Sequence, residues 1–314
     1  MKKYVFGVDI GGTTVKLGFF DREGNVLEKW EIPTRTENGG ENILPDIAES
    51  IREKMAEKKV DREAVAGIGV GAPGAIDAEG VVHGAVNLGW GTFSIPETLS
   101  ALLDMPVKAG NDANVAALGE MWKGGGQGCR NLVAVTLGTG VGGGIIVNGA
   151  MLTGAVGAGG EIGHIHVEDD ETEACACKNT GCLEQYASAT GIARLARREL
   201  QASDQASTLR EIPLERISAK AVFDAVKAGD ELAVRVAGRF GEYLGKALGV
   251  IAGIVNPEVI VVGGGVSKAG EILFDYIRPY FDKTVFSGCS GARLTLAKLG
   301  NDAGIYGAAK LMLE

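Results

Sequence analysis

The chain has 314 residues, 46% of them hydrophobic, enough to bury a core in one large domain or two ordinary ones. Its formal charge of −9 argues against a nucleic-acid surface. Forty-nine glycines are too many for a helical bundle and lack the period of collagen, so many tight turns are expected.

Residues 4–10, 15–20 and 26–32 read as strands, the last two joined by the polar turn Asp21-Arg22-Glu23-Gly24-Asn25. The next element reads as a helix, with Ile43, Ile47, Ile51 and Met55 at steps of four. Residues 65–70 form an apolar strand and 106–109 another, after which Asn111-Asp112 opens a helix running through Trp122. From Asn131 the plan of strand, glycine-threonine turn and strand restarts. A long helix carries Leu232, Val236, Phe240, Leu244, Leu248, Ile251 and Val255 on one face, with Gly241, Gly245, Gly249 and Gly253 on the other. Asn256-Pro257 stops it, and strand 259–262 runs into Gly263-Gly264-Gly265. Alternating strands and helices predict an α/β fold, and the repeated opening divides it into two lobes. Residues 204–211 are expected to form a mobile surface loop. No membrane span is expected, because Lys246 and Asn256-Pro257-Glu258 interrupt the oily stretch 244–262. Lys2 and Lys3 precede an apolar run that Asp9 breaks too early for a signal peptide.

Two hairpins carry most of the chemistry. The first contains Asp9, Gly11, Gly12, Thr13, Thr14 and Lys16; the second contains Gly138, Thr139 and Gly140. Turns of this kind aim backbone N–H groups and a hydroxyl at one spot, which suits a phosphate oxygen. One such turn would be an ordinary glycine-rich turn as readily as a site. Two, each with a threonine, predict a polyphosphate held from both sides. Asp9 is placed to orient Mg²⁺ or a metal-bound water beside the phosphates. Residues 69–74 and 138–143 also satisfy G-x-G-x-x-G, but a dinucleotide site needs a helix directly after that pattern. The first runs into a turn and the second into a strand, so both Rossmann readings fail. The Gly264-Gly265 turn would let an adenosine or ribose approach the backbone closely.

Asn111 and Asp112 stand where a strand hands over to a helix, so either a helix cap or a catalytic base accounts for Asp112. Glu161 and His164 lie three apart in a glycine-flanked turn. Cys175, Cys177 and Cys182 supply three thiolates, and one His nitrogen completes a tetrahedral zinc site, with His164 and His166 both at hand. Cysteines grouped this way fit a reduced, cytoplasmic compartment better than a disulfide framework. Cys129 and Cys289 stand alone and read as inert thiols. Trp90, in Asn87-Leu88-Gly89-Trp90, reads as a surface or interface aromatic as readily as a residue near a ligand cleft.

The segments Asp9-Ile-Gly11-Gly12-Thr13, residues 137–144, Gly160-Glu161-Ile162-Gly163-His164 and Cys175-x-Cys177-x4-Cys182-Leu183-Glu184 occur together and in order. This set resembles the repressor–ORF–kinase (ROK) family of sugar kinases and sugar-sensing repressors, and within it the bacterial glucokinases, over about residues 4–310. The resemblance implies an actin-like (ribonuclease H-like) ATPase fold of two lobes with a central cleft. Residues 1–110 would form the smaller lobe, with a C-terminal helix at about 300–314 packing back on it; residues 111–299 would form the larger lobe with a zinc-binding insertion. It implies transfer of a phosphoryl group from ATP to the 6-hydroxyl of glucose, with Asp112 as general base. Asn111, Glu161, His164 and Glu184 would bind sugar hydroxyls. His164 is implied as the fourth ligand of a structural zinc, and a homodimer through the larger lobe is also implied. The family usually has Gly after the second cysteine where this chain has Lys178, so a turn through Asn179 and Gly181 is expected instead.

Competing readings are a kinase for another hexose or an N-acyl hexosamine (fructose, mannose, N-acetylmannosamine) and a sugar-sensing repressor. A repressor would need a DNA-binding helix pair before the first hairpin, yet eight residues precede Asp9.

Overall fold

The computed structural model describes residues 2–314. In chain order its elements are β1 (Tyr4–Ile10), β2 (Thr14–Asp21), β3 (Val26–Pro33), the single turn α1 (Glu37–Gly40), α2 (Ile43–Lys58), β4 (Val65–Ala72), β5 (Val81–Ala85), β6 (Trp90–Ser94), α3 (Ile95–Leu103), β7 (Val107–Asn111) and α4 (Asp112–Lys123). Then come β8 (Leu132–Leu137), β9 (Val141–Val147), β10 (Ala150–Met151), α5 (Glu184–Ala187), α6 (Ala189–Ala202), α7 (Ala219–Lys227), α8 (Glu231–Val255), β11 (Val259–Gly263), α9 (Ile272–Thr284), β12 (Arg293–Leu296) and α10 (Ala303–Leu313). One five-stranded sheet has the order β3-β2-β1-β4-β7, and a second has the order β10-β9-β8-β11-β12. No helix of the described residues is long and apolar enough to cross a membrane.

The chain divides into two compact units. The first comprises residues 2–130, 144–160 and 298–314 of those described; the second comprises 131–143 and 161–297. The boundary expected after residue 110 therefore lies further on. Helix α4 belongs to the first unit because it packs on α10 almost backbone to backbone: a Cβ on Gly307 would lie 1.7 Å from the Val115 carbonyl oxygen, and one on Gly119 2.2 Å from that of Ala303.

In the first unit β1 is antiparallel to β2 and parallel to β4, which is parallel to β7. The period of two along β1 sorts its side chains. Phe6, Val8 and Ile10 join Ile43, Ile47 and Ile51 of α2 in one buried cluster, while Val5 joins Ile305 and Ala309 of α10 on the opposite face. Gly7 and Gly69 let α10 lie on the sheet, since a Cβ there would come within 2.0 and 1.7 Å of α10 carbonyl oxygens. Trp90 belongs to this core, 7% exposed, with Nε1 donating to the Gly40 carbonyl at 3.3 Å. The carboxylate of Glu120 is buried and accepts from the backbone N–H groups of Gly125, Lys298 and Leu299, which fastens the end of α4 to the segment leading into α10.

In the second unit β11 runs parallel to β8 and β12. The long helix α8 buries Leu232, Val236, Phe240, Leu244, Leu248 and Ile251. Its glycine face receives α9: a Cβ on Gly241 would meet the Tyr276 carbonyl oxygen at 2.2 Å, and one on Gly245 that of Ile277 at 2.5 Å. Asn256 ends α8 in a left-handed conformation, φ 44°. Within 204–211, Ser207 caps a short 3₁₀ turn, and Asp230 accepts from the hydroxyl of Ser207 and the N–H of Thr208. The segment expected to be mobile is thus tied to the start of α8.

Candidate active site

The first hairpin closes with Gly11 N–H donating to the Thr14 carbonyl at 3.1 Å. Thr34 braces it from β3's end, its hydroxyl donating to the Gly11 carbonyl at 2.7 Å and its N–H to the Thr13 carbonyl at 2.9 Å. Gly12 and Thr13 stay exposed, and a Cβ at Gly12 would meet nothing within 4 Å, so the turn's crest is open to a ligand. Lys16, paired with Asp9 across the strands, donates to the Asn301 carbonyl at 3.0 Å.

Asp9 falls on the α10 face of β1 with Val5 and Gly7. Its carboxyl sits under Gly304, where a Cβ would lie 2.4 Å from Asp9 Cγ. Burial there, with the negative charge of Asp112 adding and Lys16 opposing, pushes Asp9 up to about 6. A carboxylate held in this way and sharing its surroundings with a second one is an oxygen-donor set suited to Mg²⁺.

Geometry shows which of residues 111 and 112 caps the helix. Asn111 is the N-cap of α4: its Oδ1 accepts from Ala113 N–H at 3.0 Å and Asn114 N–H at 3.2 Å, and its Nδ2 donates to the Gly74 carbonyl at 3.0 Å. Asp112 is the first helical residue, with Oδ1 accepting from Ala113 N–H at 2.8 Å. The cap oxygen of Asn111 is engaged by the helix and one Nδ2 hydrogen by Gly74, which leaves the second N–H of Nδ2 as its handle for a ligand. Asn114, buried in the first turn of α4, also ties the helix to the loop before Glu161, donating to the Gly159 carbonyl at 3.3 Å.

In the second unit, Gly138 N–H donates to the Gly140 carbonyl at 3.0 Å, and the start of α6 anchors the turn: Ala189 N–H reaches the Gly138 carbonyl at 2.8 Å and the Thr190 hydroxyl the Thr139 carbonyl at 2.7 Å. Gly264 has φ 83° and backs directly onto Leu137, with a Cβ position 2.6 Å from its backbone. Gly264 and Gly265, both exposed, therefore stand beside the second hairpin at the carboxyl ends of parallel β8 and β11, the usual place for a ligand in such a sheet. The segments with G-x-G-x-x-G spacing lie in β4 with the turn after it and in the β8–β9 hairpin, without the helix that a dinucleotide fold needs.

Glu184 lies between this turn and the cysteines. A Cβ on Gly140 would be 2.5 Å from its Oε2, and the Cys175 thiol donates to its Oε1 at 2.9 Å. Burial and that neighbour push the Cys175 thiol up to about 12. Glu161 is exposed and precedes the 3₁₀ turn Ile162–His164; Gly163 lets that turn rest on Val141, whose carbonyl oxygen would be 2.1 Å from a Cβ. His164 Nε2 is 4.0 Å from Glu161 Oε2, and Nδ1 is 3.8 Å from Cys175 Sγ.

The ligand atoms of His164, Cys175, Cys177 and Cys182 all lie within 4.8 Å of one another, with Cys177 and Cys182 sulfurs 3.6 Å apart. Thiolates at about 2.3 Å from a tetrahedral zinc are about 3.8 Å from each other, so the donors present fit that ion in number, type and spacing. His166 lies outside the group, its Nδ1 on the Thr180 carbonyl at 3.0 Å and Nε2 on Asp169 at 2.8 Å, and these acceptors raise its pKa, Asp169 the more. In the cysteine loop Lys178 itself takes the left-handed conformation, φ 74°, with its N–H donating to the Cys175 carbonyl at 2.8 Å. The turn expected through Asn179 and Gly181 is therefore made with Lys178 as its strained residue. The carboxylates Glu168 and Glu171, which no motif in the sequence marks, are hydrogen-bonded inside the second unit.

A family model described as the ROK family matches residues 5–314. The chain belongs to the ROK family. Among curated ROK relatives it is 43% identical over 315 residues to a glucokinase of Halalkalibacterium halodurans, covering 99% of this chain and 96% of that one. It is 39% identical over 325 residues to a glucokinase of Thermotoga maritima, covering 100% and 98%. A ROK family glucokinase from Streptomyces griseus, solved in complex with glucose and AMPPNP, is 34% identical, covers 98% of each chain and superposes with a TM-score of 0.76. The α/β chain has the actin-like ATPase fold of these ROK kinases.

Proposed function

We infer that this chain is an ATP-dependent hexokinase-type kinase that phosphorylates D-glucose at its 6-hydroxyl. The observation that carries the reading is the pair formed by Asp9 at the end of β1 and Asp112 at the head of α4, electrostatically coupled in the first unit. Phosphoryl transfer to an alcohol needs a carboxylate to take the hydroxyl proton and another to hold Mg²⁺ on the phosphates. Asp112 is assigned the first task and Asp9 the second. Asn111 serves both helix and sugar through its separate oxygen and nitrogen.

Gly11, Gly12, Thr13 and Thr14, with Lys16, and Gly138, Thr139 and Gly140 are assigned to the ATP phosphates, and Gly264 and Gly265 to the nucleoside. Glu161, His164 and Glu184 are assigned to sugar hydroxyls. Mg²⁺ would neutralise charge on the transferring phosphoryl group. Zinc would be held by His164, Cys175, Cys177 and Cys182; four protein ligands leave no open position, so its part is structural. With Nδ1 on the sulfur side, His164 Nε2 would carry the N–H and be free to donate outward.

A homodimer through the second unit, the arrangement the family resemblance implies, would cover Ile254 of α8 and Phe286 after α9, which are 76% and 68% exposed. A reduced cytoplasm, holding ATP and free thiols together, is the compartment that suits these parts.

A coupled assay offering a panel of hexoses and N-acyl hexosamines with ATP and Mg²⁺ tests the reading. Glucose should give the highest kcat/KM. An N-acyl hexosamine in first place would transfer the chain to the other class of sugar kinase, and no turnover with any sugar would sink the enzyme assignment.

A further inference from the structure

Between His164 and Cys175 the chain makes a loop two of whose acids, Glu168 and Glu171, are bonded inward. Glu171, 6% exposed, accepts from the Tyr186 hydroxyl at 2.5 Å, from Arg194 Nη2 at 2.7 Å and from Arg198 Nη2 at 3.1 Å. Glu168 accepts from the Tyr243 hydroxyl at 2.5 Å. The two tyrosines stack with ring centroids 4.1 Å apart and planes at 29°. Arg194 lies over the Tyr186 ring and Arg239 over the Tyr243 ring, at 5.1 and 5.6 Å. Gln185 adds a third tie, Nε2 donating to the Glu173 carbonyl at 2.9 Å while Oε1 accepts from Cys182 N–H at 3.0 Å.

None of these bonds goes to a cluster sulfur or to a nitrogen of the His164 ring. They fasten the connecting loop to α5, α6 and α8 by contacts that need no metal. Buried ion pairs of this kind add little stability over apolar packing of the same volume, so what they contribute is a defined geometry. A loop that the metal must order spends binding free energy on the ordering; a loop already ordered retains it as affinity.

We propose that Glu168, Glu171, Tyr186 and Tyr243 form a latch that holds the loop between His164 and Cys175 in its ligating shape, making them positioning residues that set how long zinc stays bound. The inference rests on the zinc assignment of the preceding subsection. Purified full-length protein, loaded with zinc, is mixed with excess chromogenic chelator and the release rate is followed for wild type, Tyr186→Phe, Tyr243→Phe and Glu171→Gln. The tyrosine variants remove one hydroxyl each and keep the stacked rings, so they decide the matter if Glu171→Gln does not fold.

Release at least tenfold faster in the folded variants is the expected result. It should be accompanied by slow amide exchange across 161–183 in zinc-stripped wild type and fast exchange there in the stripped variants. A purely structural role would lower the melting temperature of loaded and stripped protein alike and leave the release rate unmoved. Folded variants that release zinc at the wild-type rate overturn the latch. Wild type that binds no zinc at all overturns instead the metal assignment on which the latch depends.

Discussion

Replacing Asp9 by Asn removes a charge that the fold accepts only at a cost. Burial under α10 and the neighbouring Asp112 carry its carboxyl from 3.8 to about 6. At about 1.4 kcal/mol per decade, keeping it ionised at neutral pH costs the native state about 3 kcal/mol. The sign comes from proton binding. Between 3.8 and about 6 the unfolded chain has lost a proton that the native chain still holds, so native stability declines as pH rises through that window. Below it both states are protonated and the penalty is absent; above it the penalty is complete. Asp9→Asn should therefore be more stable than wild type by up to about 3 kcal/mol at pH 7 without metal or nucleotide. That advantage should shrink to about 0.5 kcal/mol by pH 4. Urea denaturation of both proteins at pH 4, 5 and 7, compared at matched pH, measures the difference, and the proposed role of Asp9 in holding Mg²⁺ predicts that turnover in the same variant is lost. An advantage that does not change with pH, or a variant less stable than wild type at pH 7, would refute the account of Asp9.

Asp112→Asn should lower kcat by about 10²–10⁴ while changing stability by no more than about 1 kcal/mol, because Asn111 is the cap; a variant keeping most of its kcat removes Asp112 from proton transfer. Lys178→Gly should raise stability by about 1 kcal/mol in thermal melts by relieving a left-handed lysine, and an unchanged or lowered melting temperature would contradict that strain. Gly307→Ala should destabilise by about 3 kcal/mol or more, since its methyl meets the Val115 carbonyl backbone of α4, which cannot turn aside. Metal analysis of purified protein should find about one zinc per chain, and a trace or less would dismiss the four-ligand assignment.

Much of the fold was legible locally. Alternation along β1, steps of four along α2 and α8, the stop at Asn256-Pro257 and both glycine hairpins depend on dihedral preference and side-chain period, which neighbouring residues supply. The same local grammar located Asn111-Asp112, Glu161-x-x-His164 and the three cysteines, and it rejected both dinucleotide patterns because a turn and a strand come after them in place of a helix. It could not divide roles between adjacent residues of similar chemistry. Asn111 rather than Asp112 caps α4 because Gly74 holds its amide, and Gly74 lies 37 residues away.

His164 rather than His166 faces the sulfurs because Thr180 and Asp169 engage both nitrogens of His166. Trp90 is core because Gly40 takes its N–H, and α4 joins the first unit because two glycines let α10 approach it. Glu171 carries no local signal of its role; Tyr186 of α5 and the arginines of α6 close around it only in the fold. Secondary structure and motif are written in short stretches of chain, where period and turn chemistry act. Burial, proton affinity and the choice between twin donors arise from fields and contacts between segments far apart in sequence, and packing alone decides them.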